Sequence, residues 1–236
     1  MKDIRKYLII GLIGAMITVL AEFLIGYSAS IDNSTYMNLI ITAYGQLETY
    51  RIGLGSSIGT IGILMQYYGF LAIYYIFDNQ TCLSSRIFKF AIIVFFVVGA
   101  IIHVVLCSSI FVYHINVGSK LAIEYWLRYI KYFVLPIMPI FIVSYLLSSI
   151  ILFIKIVKAK TLLPKIFCIL NPVLFKMFID NLVANYGGSA IINAIGFANM
   201  GLSSLTIFAT ILIYIIKTYD NYGTLTAQID EEKNFD

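Results

Sequence analysis

Glu22, Arg51, His103, Lys176 and Asp180 stand inside, or at the mouth of, long apolar runs. An ionisable group at the centre of a hydrocarbon layer costs about 2.5–3.5 kcal/mol on insertion scales. Such groups therefore face protein or a wet cavity, and they mark ligand sites, proton relays or transport paths. Three kinds of chemistry fit these residue types. A guanidinium matches the paired oxygens of a carboxylate or phosphate. A buried carboxylate can neutralise that cation or act as a base. A histidine titrates near neutrality and suits proton handling.

Glu22 with Arg51 is the pair the sequence favours first, as a neutral tie between two spans or as an anion clamp with a carboxylate base. His103 follows Gly99 and Ala100 in an apolar run and reads as a packing residue, a proton carrier or a ligand-binding group. Lys176 and Asp180 share a helix face at i,i+4 and most simply neutralise each other. Asn171-Pro172 predicts a kink, because proline removes a helical hydrogen bond and clashes with the preceding turn. Gln66, Asn193 and Asn199 add hydrogen-bonding groups. His114, Glu48 and Glu124 read as ordinary loop or span-end residues.

The elements that must position these groups are six apolar runs, at about 7–27, 52–77, 90–113, 130–156, 165–183 and 195–216. A membrane helix needs about 20 predominantly apolar residues. The fifth run is the weakest, since it holds Asn171, Pro172, Lys176, Asp180 and Asn181. It must be shielded by neighbours or be partly re-entrant; a five-span alternative would move the C-terminus to the opposite side. Basic residues set orientation. With the N-terminus cytoplasmic, the inner segments carry eleven of them, from Lys2, Arg5 and Lys6 to Lys155, Lys158 and Lys160, and the outer segments carry Arg51, Lys120, Arg128 and Lys131. The sequence thus predicts an all-α, integral membrane bundle of six transmembrane helices with both termini cytoplasmic. Residues 1–219 form the membrane domain and 220–236 a polar, disordered tail. In that topology the five ionisable residues share the outer half of the membrane. A signal peptide ending near Tyr27-Ser28-Ala29-Ser30 is disfavoured, because the first run is long enough to span and Glu22 interrupts it.

Composition agrees. Apolar residues make up 61% of the chain and charged residues 12%, with a mean hydropathy of +0.92. An ordinary soluble domain is about 45–50% apolar and about 25% charged. The net charge of +4 is spread over the segments between runs and reads as topology, not as a nucleic-acid footprint. Cys82, Cys107 and Cys168 lack metal spacing and any Cys-x-x-Cys, so neither a disulfide framework nor a metal site is expected. No cofactor motif, Walker loop, Gly-x-Ser-x-Gly or His-Glu-x-x-His is present. Gly53, Gly55, Gly59 and Gly62 in the second run read as close helix packing within the chain, or as a dimer face. Trp126 with Tyr125, Tyr129, Tyr132, Arg128 and Lys131 reads as an interfacial belt. Residues 36–48 are expected to form a short helix on the outer surface.

One set of motifs joins the acid before Gly26-Tyr27, Arg51 opening a glycine-rich run, and Gly99-Ala100-x-x-His103. A second joins Leu163-Pro164-Lys165, Leu170-Asn171-Pro172 and a glycine-bearing last run. Together, over most of residues 7–216, the chain resembles a group of uncharacterised bacterial multi-span membrane proteins of the domain-of-unknown-function type. That group usually carries Asp where this chain has Glu22. The resemblance implies a one-domain bacterial membrane protein and no particular activity.

Three functional expectations follow. In the first, Glu22, Arg51, His103, Asn171, Lys176 and Asp180 line a pocket for a small polar or lipid-like ligand. Arg51 takes an anionic group, Glu22 positions Arg51, and His103 and Asn171 shape the floor. In the second, Glu22 or His103 is the acid–base group of an intramembrane enzyme. In the third, the polar residues only hold helices together in a packing subunit, whose core would be dry and fully paired. Membrane lipid is the expected partner; oligomeric state is left open.

Overall fold

The computed structural model describes residues 2–27, 44–186 and 189–232. Its elements are α1 (Lys2–Gly26), α2 (Thr49–Tyr75), α3 (Leu83–Ile115), α4 (Ala122–Tyr129), a π turn (Ile130–Val134), α5 (Met138–Val157), a 3-10 helix (Lys165–Leu170), α6 (Pro172–Tyr186), α7 (Ala190–Phe197) and α8 (Asn199–Glu232). No β-strand occurs among the described residues, only an isolated bridge between Phe77 and Thr161. α1, α2, α3, α5 and α8 up to Thr218 are long and apolar enough to cross a membrane. Large apolar side chains such as Leu20, Phe90, Val143 and Phe178 point outward, while Thr18, Gln66 and Ser203 are buried. That inside-out polarity suits a lipid solvent. Most of the expected surface helix, residues 36–43, lies outside the described residues.

α1 and α2 pack antiparallel along a seam of small residues. Gly11 meets Gly69, Gly14 meets Gly62, Thr18 meets Gly62, and Ala21 approaches Gly59. On α2 these contacts recur at 55, 59, 62, 66 and 69, alternating steps of four and three. A Cβ added to Gly11 would stand 2.5 Å from the Gly69 Cα, so only glycine admits this backbone approach. Van der Waals contact between backbones replaces the hydrophobic drive that lipid removes. The polar positions in the seam satisfy each other: Gln66 donates to Thr18 Oγ1 at 2.7 Å, and Thr18 donates to the Gly14 carbonyl at 3.0 Å. Of the glycines expected to pack within the chain or between copies, Gly55, Gly59 and Gly62 are used within it, while Gly53 faces open space.

α3 lies antiparallel to α2, α5 to α3, and α8 to α1. We term the end where α1 begins basal and the end where it finishes distal. A core of Leu8, Ile73, Phe88, Leu152, Ile156, Phe208, Ile211 and Ile215 fills the basal half. A smaller cluster of Ile25, Tyr44, Leu47, Ile52, Ile110 and Trp126 closes the distal end.

Three expected runs are redrawn by proline and hydrogen bonding. The fourth begins at Met138, not at 130, because Pro136 and Pro139 end the π turn and restart the helix with proline in its first turn. The fifth is broken outright. Its first part is 3-10, Asn171 is extended (φ −56°, ψ 130°), and α6 starts at Pro172. A residue before proline is forced out of the helical region, so a break replaces the expected kink. The sixth begins at Asn199, after α7. Trp126, expected at the interface, is buried, and its indole N–H donates to Ser109 at 3.3 Å. The backbone of α8 is helical through Glu232.

Candidate functional site

Between the two hydrophobic clusters lies a cavity of about 300 Å³ at the centre of the bundle. α1 contributes Thr18 and Glu22; α2, Gln66 and Phe70; α3, Phe96, Gly99 and His103; α5, Phe141 and Tyr145; α6, Pro172; and α8, Gly201, Ser203 and Ser204. Its walls are mainly aromatic and aliphatic, with a few polar groups. That is the usual make-up of a small-molecule site, at the small end of the size range of about 300–1,000 Å³.

Glu22 sits one residue after Ala21 in the α1 seam, so its side chain leaves the seam toward α8. Its carboxyl meets Gly201, where a Cβ would stand 3.0 Å from Oε2. Oε2 is buried, and the Gly201 backbone is its one polar neighbour among the described residues. The hydroxyls of Tyr145 and Ser203 are buried with no hydrogen-bond partner among the described residues. All three line the one cavity. Leaving a buried polar group unpaired costs about 1–3 kcal/mol, more when it is charged. Two unpaired hydroxyls and a carboxyl with a single backbone partner thus surround one void.

His103 comes off α3 into the α2 glycine step. Its Nε2 lies 3.1 Å from the Gly55 carbonyl. A carbonyl only accepts, so Nε2 carries the proton and donates it. Gly59 leaves the space the ring occupies, for a Cβ there would collide with it. Glu22 and His103 therefore share a cavity, as the sequence suggested, but the Nε2 proton of His103 is already engaged.

Arg51 is elsewhere. Its Nε donates to the Leu24 carbonyl at 2.8 Å and its Nη2 to the Tyr27 carbonyl at 2.5 Å. It caps the C-terminus of α1, satisfying carbonyls left without helical partners where the dipole favours a cation. The expected Glu22–Arg51 pair is not formed. The loose carbonyls of the first helix outcompete a carboxylate that points toward α8. Asn171 is also committed. Its Nδ2 donates to the Ser149 carbonyl at 2.9 Å, and its Oδ1 accepts the Val173 N–H at 3.0 Å. It caps α6 and ties that helix to α5; its neighbour Pro172, and not Asn171, reaches the cavity. Lys176 and Asp180 pair as expected, with Asn199 Nδ2 3.5 Å from the second carboxylate oxygen. Both are substantially exposed and neither lines the cavity. Of the six candidates, Glu22 and His103 come together there and the other four do not.

Tyr145 and Ser203 were not legible as site residues. Hydroxyls inside apolar helices usually bond their own backbone, as Ser144 and Ser148 do here. Nothing in the sequence separates those from Ser203. No group of acids, histidines and cysteines able to hold a metal occurs among the described residues.

Among the described residues the chain is all-helical and apolar outward, with five helices long and apolar enough to cross a membrane, an architecture compatible with the multi-pass membrane class. Residues 1–218 match the profile of a family described as Family of unknown function (DUF6796), and the chain belongs to that family. No curated protein and no solved structure matches it.

Proposed function

We propose that the chain crosses a cell membrane six times, its basal end cytoplasmic, and holds a small amphipathic ligand in the central cavity. The observation that carries the ligand reading is the set of buried oxygens around a single void: the Tyr145 and Ser203 hydroxyls without a partner, and the Glu22 carboxyl with only the Gly201 backbone. A subunit serving only to pack helices would pair those groups or replace them, at a gain of about 1–3 kcal/mol each. No Lys or Arg lines the cavity, and Arg51 is spent on α1. An anionic headgroup is therefore disfavoured. A ligand bearing hydroxyl, amide or ammonium donors fits the Glu22 carboxyl, and the two hydroxyls can donate or accept as needed.

The sixth crossing is supported by where the chain must go. α5 ends basally, with Lys155 beside Ser85 at 2.9 Å. α7 ends distally, with Phe197 against Gly26 at the close of α1. Residues 158–198 therefore have to return the chain, and they do so first through the 3-10 helix, whose Phe167 packs on Tyr214, then through α6. The Asn171 break falls where protein covers it, as non-helical backbone in a membrane requires.

Native mass spectrometry of the protein purified in mild detergent tests the ligand reading. Wild type should carry a non-covalent adduct. Ser203→Phe, which fills the cavity, and Glu22→Gln, which weakens its strongest acceptor, should lose most of it. The same adducts at the same occupancy in all three proteins would end the proposal.

A further inference from the structure

At the basal end, outside that cavity, a thiol, a buried ammonium and two hydroxyls are gathered in one place. The turn between α2 and α3 is rigid: Asn79 Oδ1 accepts the N–H groups of Thr81 and Cys82 at 2.9 and 3.0 Å. That turn puts Cys82 at the N-cap of the 33-residue α3. From the other side, α5 ends with Ala159 in the left-handed region (φ 50°). The Lys160 N–H then bonds the Lys155 carbonyl at 2.8 Å, which fixes the last turn. The loop that follows is pinned to the α2–α3 turn through Asp78 N–H to Lys160 O at 3.2 Å.

Lys155, only 5% exposed, is held between these two elements. Its Nζ lies 3.1 Å from Cys82 Sγ, 2.9 Å from Ser85 Oγ and 5.2 Å from the centre of the Phe77 ring. Among the described residues no carboxylate stands within ion-pair distance of it. Asp78 lines the adjoining cavity of about 350 Å³, together with Lys158 and Lys160, without pairing with Lys155. A buried ammonium needs a counter-charge. Cys82 is the group in contact that can supply one. As a thiol its S–H points at the Asn79 carbonyl 3.2 Å away; as a thiolate it accepts from Lys155 and from Ser84, 3.3 Å away. Those hydrogen bonds, from Ser84 first and then Ser85 and Lys155, bring the Cys82 pKa down to about 6. The helix N-terminus acts in the same direction.

Two further features select the electrophile. Lys158 and Lys160 at the mouth suit a carrier bearing phosphates. Between the same two helices, about 14–18 Å further along α3 at ~1.5 Å per residue, an apolar groove runs over Ala91, Val94, Ile140, Val143 and Leu147. It is lined almost wholly by carbon and opens to the lipid side, where Val143 is 62% exposed. A long acyl chain attached at Cys82 and laid along α3 would reach it.

We propose that Cys82, paired with Lys155, is a site of S-acylation by a long-chain acyl thioester, whose chain then lies in the groove between α3 and α5. The sulfur attacks the thioester carbonyl carbon and a new C–S bond forms. The C–S bond to the carrier breaks, and the carrier leaves as a thiolate that takes a proton from water. No electrons are gained or lost overall. Lys155 is a positioning residue; it holds the nucleophile in its ionised form.

The test uses the full chain in nanodiscs. It is incubated with a long-chain acyl-coenzyme A at pH 7, followed by intact-mass measurement with and without hydroxylamine. One hydroxylamine-sensitive acyl adduct is expected, mapped to Cys82, absent in Cys82→Ser and formed at least about tenfold more slowly in Lys155→Met. An adduct that maps to Cys168, or no adduct, overturns the proposal. Because Lys155→Met could disturb the fold, the wild type supplies a second readout through iodoacetamide labelling of Cys82 against pH. An ordinary thiol with pKa near 8.5 gains about fifty-fold in thiolate from pH 6.5 to 8.5. Cys82 should gain less than about twofold, and a rise like that of an ordinary thiol would also overturn the assignment.

Discussion

The basal and distal halves of the bundle are built from the same helices and end in opposite conditions. In the basal half, Leu8, Ile73, Phe88, Phe208 and Ile211 are at 0% exposure. Aromatic rings there meet edge to face, as Phe70 and Phe208 do at 5.3 Å. From the centre toward the distal end, the Tyr145 and Ser203 hydroxyls lack partners, Glu22 has only the Gly201 backbone, and a void of about 300 Å³ lies between the helices. The α1–α2 glycine seam runs through both halves, so the difference does not arise from that pair. It arises because large rings such as Phe70 and Phe208 fill the space between the helices at one end, whereas at the other the small residues Gly99, Gly201 and Ser203 line a space that no ring fills. Apolar burial is concentrated where the core is dry, and the open space lies where packing is incomplete.

The sharpest way to break this comparison is to remove one ring from each half. Phe208→Ala should cost about 3–5 kcal/mol, since its ring fills the notch at Gly69 and leaves a void that cannot collapse. Phe141→Ala, at the cavity wall, should cost at least about 1 kcal/mol less because its site is already half empty. Reversible unfolding in mixed micelles measures both, and equal losses would erase the contrast.

Next in size is Arg51→Met. Losing two charge-assisted bonds to the end of α1 should destabilise the protein by about 1 kcal/mol, toward the low end of the usual range because the site is partly exposed. The adduct in native mass spectra should stay unchanged; an adduct that disappears would return Arg51 to the site. The smallest effect carries the most diagnostic sign. Tyr145→Phe removes an unpaired buried hydroxyl, so the ligand-free protein should be unchanged or up to about 1 kcal/mol more stable, while ligand occupancy falls. A clear loss of stability without ligand would show that the hydroxyl already has a partner.

Much of this was legible from residue types. The Gly55–Gly59 step implied a close helix approach, and His103 after Gly99-Ala100 implied an imidazole facing a neighbour; the two turn out to be one contact. Lys176 with Asp180 follows from helical spacing alone. Arg51 shows where reading stops. Its charge invites a carboxylate, and Glu22 is the acid within the first run, yet the open carbonyls at Leu24 and Tyr27 take it instead. Pairing partners depend on which helix face each residue occupies, and a one-residue step along a helix turns a side chain by about 100°. Asn171 is similar: its type announces a polar role, and its position before proline makes that role a cap.

Composition and the spacing of apolar residues determined that the chain is helical and suited to lipid, because a backbone surrounded by hydrocarbon must satisfy its hydrogen bonds within each segment. They also determined which side chains would be expensive to bury. Only the packing of α3, α5 and α8 against the glycine seam decided which of those costs are met by a protein partner and which remain open around a cavity. The energy of a buried polar atom depends on neighbours brought from distant parts of the chain, and Glu22 meets its neighbours on α8.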